Sequence, residues 1–174
     1  MEVSAIITLF IMLLFGINSF DCPCSDAVYL RYLNPDGGQV ILYDNESAIN
    51  PTLQEVVDFI KNDNTDHIQY NIDSFVCSNY AQVVHNNAEA MGYKTGWVAI
   101  AFSDDDVMHS CNAFNTSDCG VVYIDCTGSS AEYATISYDT VVFLDIGQPY
   151  IPQGLYENNT YTTLGTLESF TVYW

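Results

Sequence analysis

The stretch that most limits how this chain can fold is DSFVCSNYAQVVHNNAEAMGYKTGWVAIAF, residues 73–102. Cys77, Tyr80, Ala81, Val84, Ala88 and Met91 follow one another at steps of one, three or four, so they share one stripe of a helix. Asn86, Asn87 and Glu89 fall off that stripe, and Gly92 stands where a helix closes in a left-handed cap. The period then changes, because GWVAIAF (96–102) is a nearly continuous apolar run of the kind a buried strand shows. Cys77 lies on the inward stripe but in the first turn, where backbone N–H groups lack helical partners. A cysteine there can be core filler, half of a disulfide, or a nucleophile.

More strand signals follow: VMHSCNAF (107–114), the loop NTSDCG, VVYIDC (121–126), TISYDTVVFLDI (135–146) and TLESFTVYW at the end. Upstream, AVYLRYL and QVILY flank Asn34-Pro-Asp-Gly-Gly38, which fits a hairpin or a loop. Thr52 and Glu55 are spaced as a capping box ahead of LQEVVDFIK. Leu53, Val56, Val57 and Ile60 make one apolar face of that short helix. Residues 62–73 are polar and read as a loop, and His67 within it is not expected to have a role; His85 reads as part of the solvated face of its helix. The order predicts an α+β fold, a central helix carrying the cysteine on an antiparallel sheet.

At 174 residues the chain makes a single domain with a real core, and thirteen Tyr and nine Phe supply packing. Three Lys plus Arg stand against 22 Asp plus Glu, a net charge of −19. Such a chain repels DNA, RNA and anionic headgroups, so nucleic acid is excluded as a partner. Residues 3–17 are almost wholly apolar, which marks 1–20 as an export segment, either a signal peptide or an N-terminal membrane anchor acting through residues 3–20. An extracellular or cell-surface location follows. Three glycosylation sequons, at Asn45, Asn115 and Asn158, agree with export. Six cysteines (22, 24, 77, 111, 119 and 126) then sit where disulfides can form, with connectivity open.

If VMHSCNAF and VVYIDC pair as a hairpin with Ala113 facing Val121, then Cys111 faces Tyr123 and His109 faces Asp125. A carboxylate beside an imidazole takes the proton on one ring nitrogen and fixes the other as an acceptor. A thiol delivered by a helix packed on that face completes a nucleophile, base and orienter. The helix N-terminus favours thiolate and offers N–H groups to an oxyanion. No C-x-x-C or H-x-x-x-H spacing supports a metal site among Cys77, Cys111, His109, Asp125 and Cys126, and no cofactor is expected. In the same register Cys111 and Cys126 project to opposite faces, which disfavours a disulfide between them.

A Cys opening a helix, a His on one strand and an Asp on the next, in FVCSNYAQVVHNNAEAMGYKTGWVAI, HSCNAFNT and GVVYIDCTG, resembles the transglutaminase-like superfamily of papain-type cysteine enzymes, in its exported archaeal and bacterial subgroup. The resemblance implies one domain over 26–174, with a core at about 50–146 and a C-terminal strand extension at 160–174. It implies Cys77 as nucleophile, His109 as general base and acid, and Asp125 as orienting carboxylate. Asp125-Cys-Thr-Gly resembles the Asp-Pro-Thr usual at that strand end. Cys111 departs from the pattern, where an aliphatic residue is expected, and Tyr70, Asn71 and Asn79 are the candidates for a second oxyanion donor.

Two functions are therefore expected to compete. One is an exported cysteine peptidase, amidase or transglutaminase-like acyltransferase acting on a peptide or protein substrate, with cell-envelope peptides the natural targets. The other is a surface or adhesion module with the same fold and no activity.

Overall fold

The computed structural model describes residues 27–103, 108–128, 138–156 and 161–174. The export segment, Cys22 and Cys24, residues 135–137 of TISYDTVVFLDI and the sequon at Asn158 lie outside them.

The architecture is α+β. Strands β1 (Ala27–Leu33) and β2 (Gln39–Tyr43) form an antiparallel hairpin. Its turn closes through Asn34 N to Gly38 O at 2.7 Å, with Gly37 at φ +82° supplying the left-handed step. Helix α1 (Leu53–Asn62) starts with the expected capping box. Glu55 N donates to Thr52 Oγ1 at 3.3 Å, and Thr52 N donates to Glu55 Oε2 at 2.7 Å. A 3-10 turn at Thr65–His67 follows, then helix α2 (Cys77–Ala90). Strands β3 (Gly96–Phe102), β4 (Met108–Thr116), β5 (Gly120–Asp125), β6 (Thr140–Val142), β7 (Gln153–Gly154) and β8 (Leu167–Tyr173) make one six-stranded sheet in the order β7-β6-β5-β4-β3-β8. Every pair in it is antiparallel, so the C-terminal strand returns beside β3, the first strand after the helix.

Alternation along the central strands divides the core into two sides. On one side, Phe114 and Ile124 pack with Val56, Phe59 and Ile60 of α1 and Val84 and Ala88 of α2. Trp97 and Ala99 extend that side to Ala81 and to Leu30, Val40 and Leu42 of the hairpin. On the other side, Val98, Ile100, Cys111, Ala113 and Val142 pack with Tyr150 and Leu167.

The polar run at 62–73 carries the 3-10 turn, and within it Thr65 and Asp66 are buried, with Asp66 Oδ2 accepting from Tyr138 N at 3.0 Å. Three expectations need correction. His85 is fully buried rather than solvated, and the last residue assigned to the stripe, Met91, is exposed. The cause is the hairpin, which lies along the polar side of α2. Ile41 N donates to Gln82 Oε1, Tyr43 N to Asn86 Oδ1 and Asn45 N to Glu89 Oε2, each at 3.0 Å. The amides and carboxylate that looked like a solvent face instead satisfy the open edge of β2. The third correction is the β4–β5 register. Ala113 pairs with Tyr123 and Asn115 with Val121, two residues from the expected alignment.

Candidate active site

Three elements bring the sequence-predicted residues together. Cys77 is the first residue of α2 and is partly exposed. Val76 precedes it at the N-cap and has no side-chain acceptor, so the first-turn N–H groups are not taken by a capping side chain. His109 lies one residue into β4, and Asp125 ends β5.

The slip of two residues in the hairpin is even, so it leaves every side chain on its expected face. It makes His109 and Asp125 diagonal neighbours rather than directly opposed, and an imidazole spans that diagonal. His109 Nε2 meets Asp125 Oδ2 at 2.7 Å, with both residues buried.

The route of the thiol to this pair differs from the expected one. His109 shares its side of β4 with Cys111 and Ala113, whereas Asn112 points the other way and donates to Ala81 O of α2 at 2.9 Å. Helix α2 therefore packs against the side opposite the imidazole. Its first residue reaches His109 at the start of β4, where Cys77 Sγ lies 4.0 Å from Met108 O. Cys77 is close enough to His109 to raise its imidazole together with Asp125, and Nε2 is the ring nitrogen that meets the carboxylate.

Asp125 is held by more than His109. The Tyr150 hydroxyl donates to the same Oδ2 at 2.8 Å, and Thr127 N donates to Oδ1 at 2.9 Å. The Tyr150 ring stands edge-on to His109 and to Phe102, with centroids 5.3 and 5.8 Å away. Tyr150 is buried, and sequence reasoning missed it. Its only signal was a large aromatic between Gly147 and Pro152.

Burial opposes charge on both members of the pair, and the pair overrides it. For His109, the Asp125 carboxylate and then Cys77 outweigh desolvation and hold the imidazole well above its usual range. For Asp125, the His109 charge, the hydrogen bond to it and Thr127 outweigh desolvation and hold the carboxyl below its usual range. The site therefore keeps an imidazolium against a carboxylate near neutral pH.

The departure at Cys111 has a physical resolution. That thiol is buried, and desolvation followed by the Asp125 charge pushes it well above the ordinary thiol range, so it stays protonated. Cys126 is likewise buried and raised, first by desolvation and then by Asp139. Cys77, Cys111, Cys119 and Cys126 are all free, with Cys111 and Cys126 in core clusters on opposite sides of the sheet.

Of the three candidate oxyanion donors, two are oriented through their side-chain oxygens: Asn79 Oδ1 accepts from Val76 N at 3.0 Å, and Asn71 Oδ1 accepts from Asp73 N at 2.9 Å. Tyr70 is the one that senses the thiol. Its phenol is raised by burial and then by Cys77, and its ring stacks on Tyr80 at 6.4 Å. Among the described residues, no three His, Cys, Asp or Glu side chains converge to hold a metal ion.

No family model, curated protein or solved structure matches the chain.

Proposed function

We propose that the chain is a transglutaminase-like cysteine enzyme that transfers an acyl group from an amide, with Cys77 as nucleophile, His109 as base and acid, and Asp125 as orienter. The observation that carries this reading is the alignment of His109 between Cys77 and an Asp125 carboxylate 2.7 Å from Nε2. In the first half, the Cys77 thiolate attacks the carbonyl and the electron pair moves to oxygen. First-turn N–H groups of α2 and the Tyr70 phenol face the resulting oxyanion. Collapse expels the amine, which takes its proton from the His109 imidazolium and leaves a thioester on Cys77. In the second half, His109 accepts a proton from water or from an amine as that nucleophile attacks. This releases an acid or a new amide and restores the thiolate–imidazolium pair. A partly exposed thiol favours water, and hence a peptidase or amidase. Peptides of the cell envelope are the substrates that an exported enzyme of this kind would meet.

The test is site-resolved alkylation with iodoacetamide between about pH 4 and 9, read by mass spectrometry. Cys77 is expected to label at mildly acidic pH ahead of the other described cysteines, and His109→Ala is expected to move that rise toward the ordinary thiol range near about 8.5. A Cys77 that stays silent until the protein unfolds would instead identify an inactive surface module.

A further inference from the structure

Beside the His109–Asp125 pair lies a cleft of about 230 Å³ whose other lining residues include Thr127, Tyr138, Pro152, Tyr161 and Leu164. That volume is below the roughly 300–1,000 Å³ that holds a drug-sized ligand, and it suits a single side chain. Two chain segments build its outer part. Tyr161 N donates to Pro152 O at 3.1 Å, and Leu164 N donates to Tyr150 O at 3.1 Å, so one wall is tied to the residue that holds Asp125. The Tyr138 and Tyr161 rings lie 5.7 Å apart, and Leu164 is about half exposed.

The chemistry of the lining is unusual for this molecule. In a chain of net charge −19, the lining of the cleft contains, among the described residues, one acidic residue, Asp125, and no Lys or Arg. Asp125 is already engaged on both oxygens, Oδ2 by His109 and Tyr150 and Oδ1 by Thr127 N. A cation entering the cleft finds no free carboxylate, and an anion finds no basic side chain beyond the committed His109, so either pays desolvation without a counter-charge. An uncharged group pays no such cost. It also meets aromatic and aliphatic surface, with the Thr127 side chain beside Asp125 as a neutral polar group at the inner end.

We propose that this cleft is a side-chain subsite of the same active centre and selects an uncharged, aromatic-sized substrate group. The inference rests on the acyl-transfer reading. It predicts specificity opposed to the surface field, which would otherwise draw basic substrates to a strongly acidic protein.

The experiment compares N-acetyl-X chloromethyl ketones with X as Phe, Tyr, Glu or Lys, in which the Cys77 thiolate displaces chloride. Each inactivation rate is divided by the iodoacetamide rate at Cys77 of the same protein. The Phe and Tyr probes are expected to react about tenfold faster than Glu and Lys on this scale. Leu164→Glu, a change at a half-exposed position, is expected to erase most of the advantage over Lys. Equal rates for all four, or fastest reaction with Lys, overturn the subsite while leaving the Cys77 reading intact if iodoacetamide still selects Cys77. Loss of that selectivity overturns the catalytic reading itself, and the subsite with it.

Discussion

The Tyr150 hydroxyl and the His109 imidazole share one oxygen, Asp125 Oδ2, at 2.8 and 2.7 Å. A donor on a carboxylate favours its ionised form, so Tyr150 helps keep Asp125 charged and hence keeps His109 protonated. Tyr150→Phe retains the ring contacts with His109 and Phe102 and deletes only the hydrogen bond. Asp125 then takes up its proton at higher pH, and a neutral Asp125 no longer supports the imidazolium. A hydrogen bond to a charged group is worth about 1.5–3 kcal/mol. The Asp125 carboxyl in Tyr150→Phe is therefore expected to titrate higher by roughly one pH unit, at about 1.4 kcal/mol per unit, as read by carboxyl-carbon NMR. A tyrosine that merely fills space would leave that titration where it is. Cys111 gives a contrasting case: as a buried, protonated thiol it should stay unlabelled by iodoacetamide while the protein remains folded.

Gly128 shows how one element constrains the next. It follows Asp125-Cys-Thr, and a Cβ there would lie 2.6 Å from Ile68 O, 2.7 Å from Asp66 O and 2.7 Å from the Tyr80 hydroxyl. The segment leaving β5 passes so close to the 3-10 turn before α2 that only a hydrogen fits. The contact ties the end of the Asp125 strand to the base of the Cys77 helix, where the Tyr80 hydroxyl also donates to Ile68 O at 2.5 Å. Gly128→Ala is expected to cost roughly 1–3 kcal/mol, as overpacking does. It should also slow Cys77 alkylation, whereas a purely local strain would lower the thermal midpoint alone. The same elements show what was legible in the sequence. Helix α2 and the α1 capping box were readable because period, cap and glycine stop agree within one short stretch. The register of β4 and β5 was not, because it is set by a turn rather than by apolar pattern. Thr116 Oγ1 bonds Gly120 O at 2.7 Å and accepts from Cys119 N at 3.0 Å, while Gly120 adopts φ +78°. A glycine closing a three-residue turn was the available signal. The face assignment survived the slip only because the slip is even. The burial of His85 was hidden for a different reason: it depends on a hairpin some forty residues upstream, and local sequence carries no mark of that contact.

Taken whole, the molecule is governed by an excess of negative charge that its fold does little to neutralise. Among the described residues the ion pairs all involve a histidine, and the Lys94 charge acts on Glu89 without forming one. Buried acids add to the strain of high pH. Asp139 is raised to about 7, first by burial and then by the charges of Asp66 and Asp63, against the favourable effects of Cys126 and Tyr156. An acid whose folded pKa lies above its unfolded value of 3.8 binds protons preferentially in the native state. It therefore subtracts stability as pH rises through about 7. His109 has the same sign: its raised folded pKa contributes stability that is complete below the unfolded 6.5 and is lost as pH climbs toward the folded value. Asp125 and His85 oppose these at the acid end. Asp125, depressed, loses its contribution as pH falls below 3.8 toward its folded value. His85, lowered chiefly by burial, resists protonation below 6.5. The thermal midpoint should therefore peak at mildly acidic pH and fall between about pH 6 and 8.5, with 1 kcal/mol worth about 2–4 °C for a chain of this size. Asp139→Asn should flatten the part of the decline below about pH 7 and leave the part above it, which belongs to His109. Added salt should raise the midpoint most at alkaline pH, where net charge and hence the repulsion that salt screens are greatest. A midpoint that rises steadily from pH 6 to 8.5 in calorimetry, with or without salt, would mean that the buried His109–Asp125 and Asp139 sites do not set the stability of this fold.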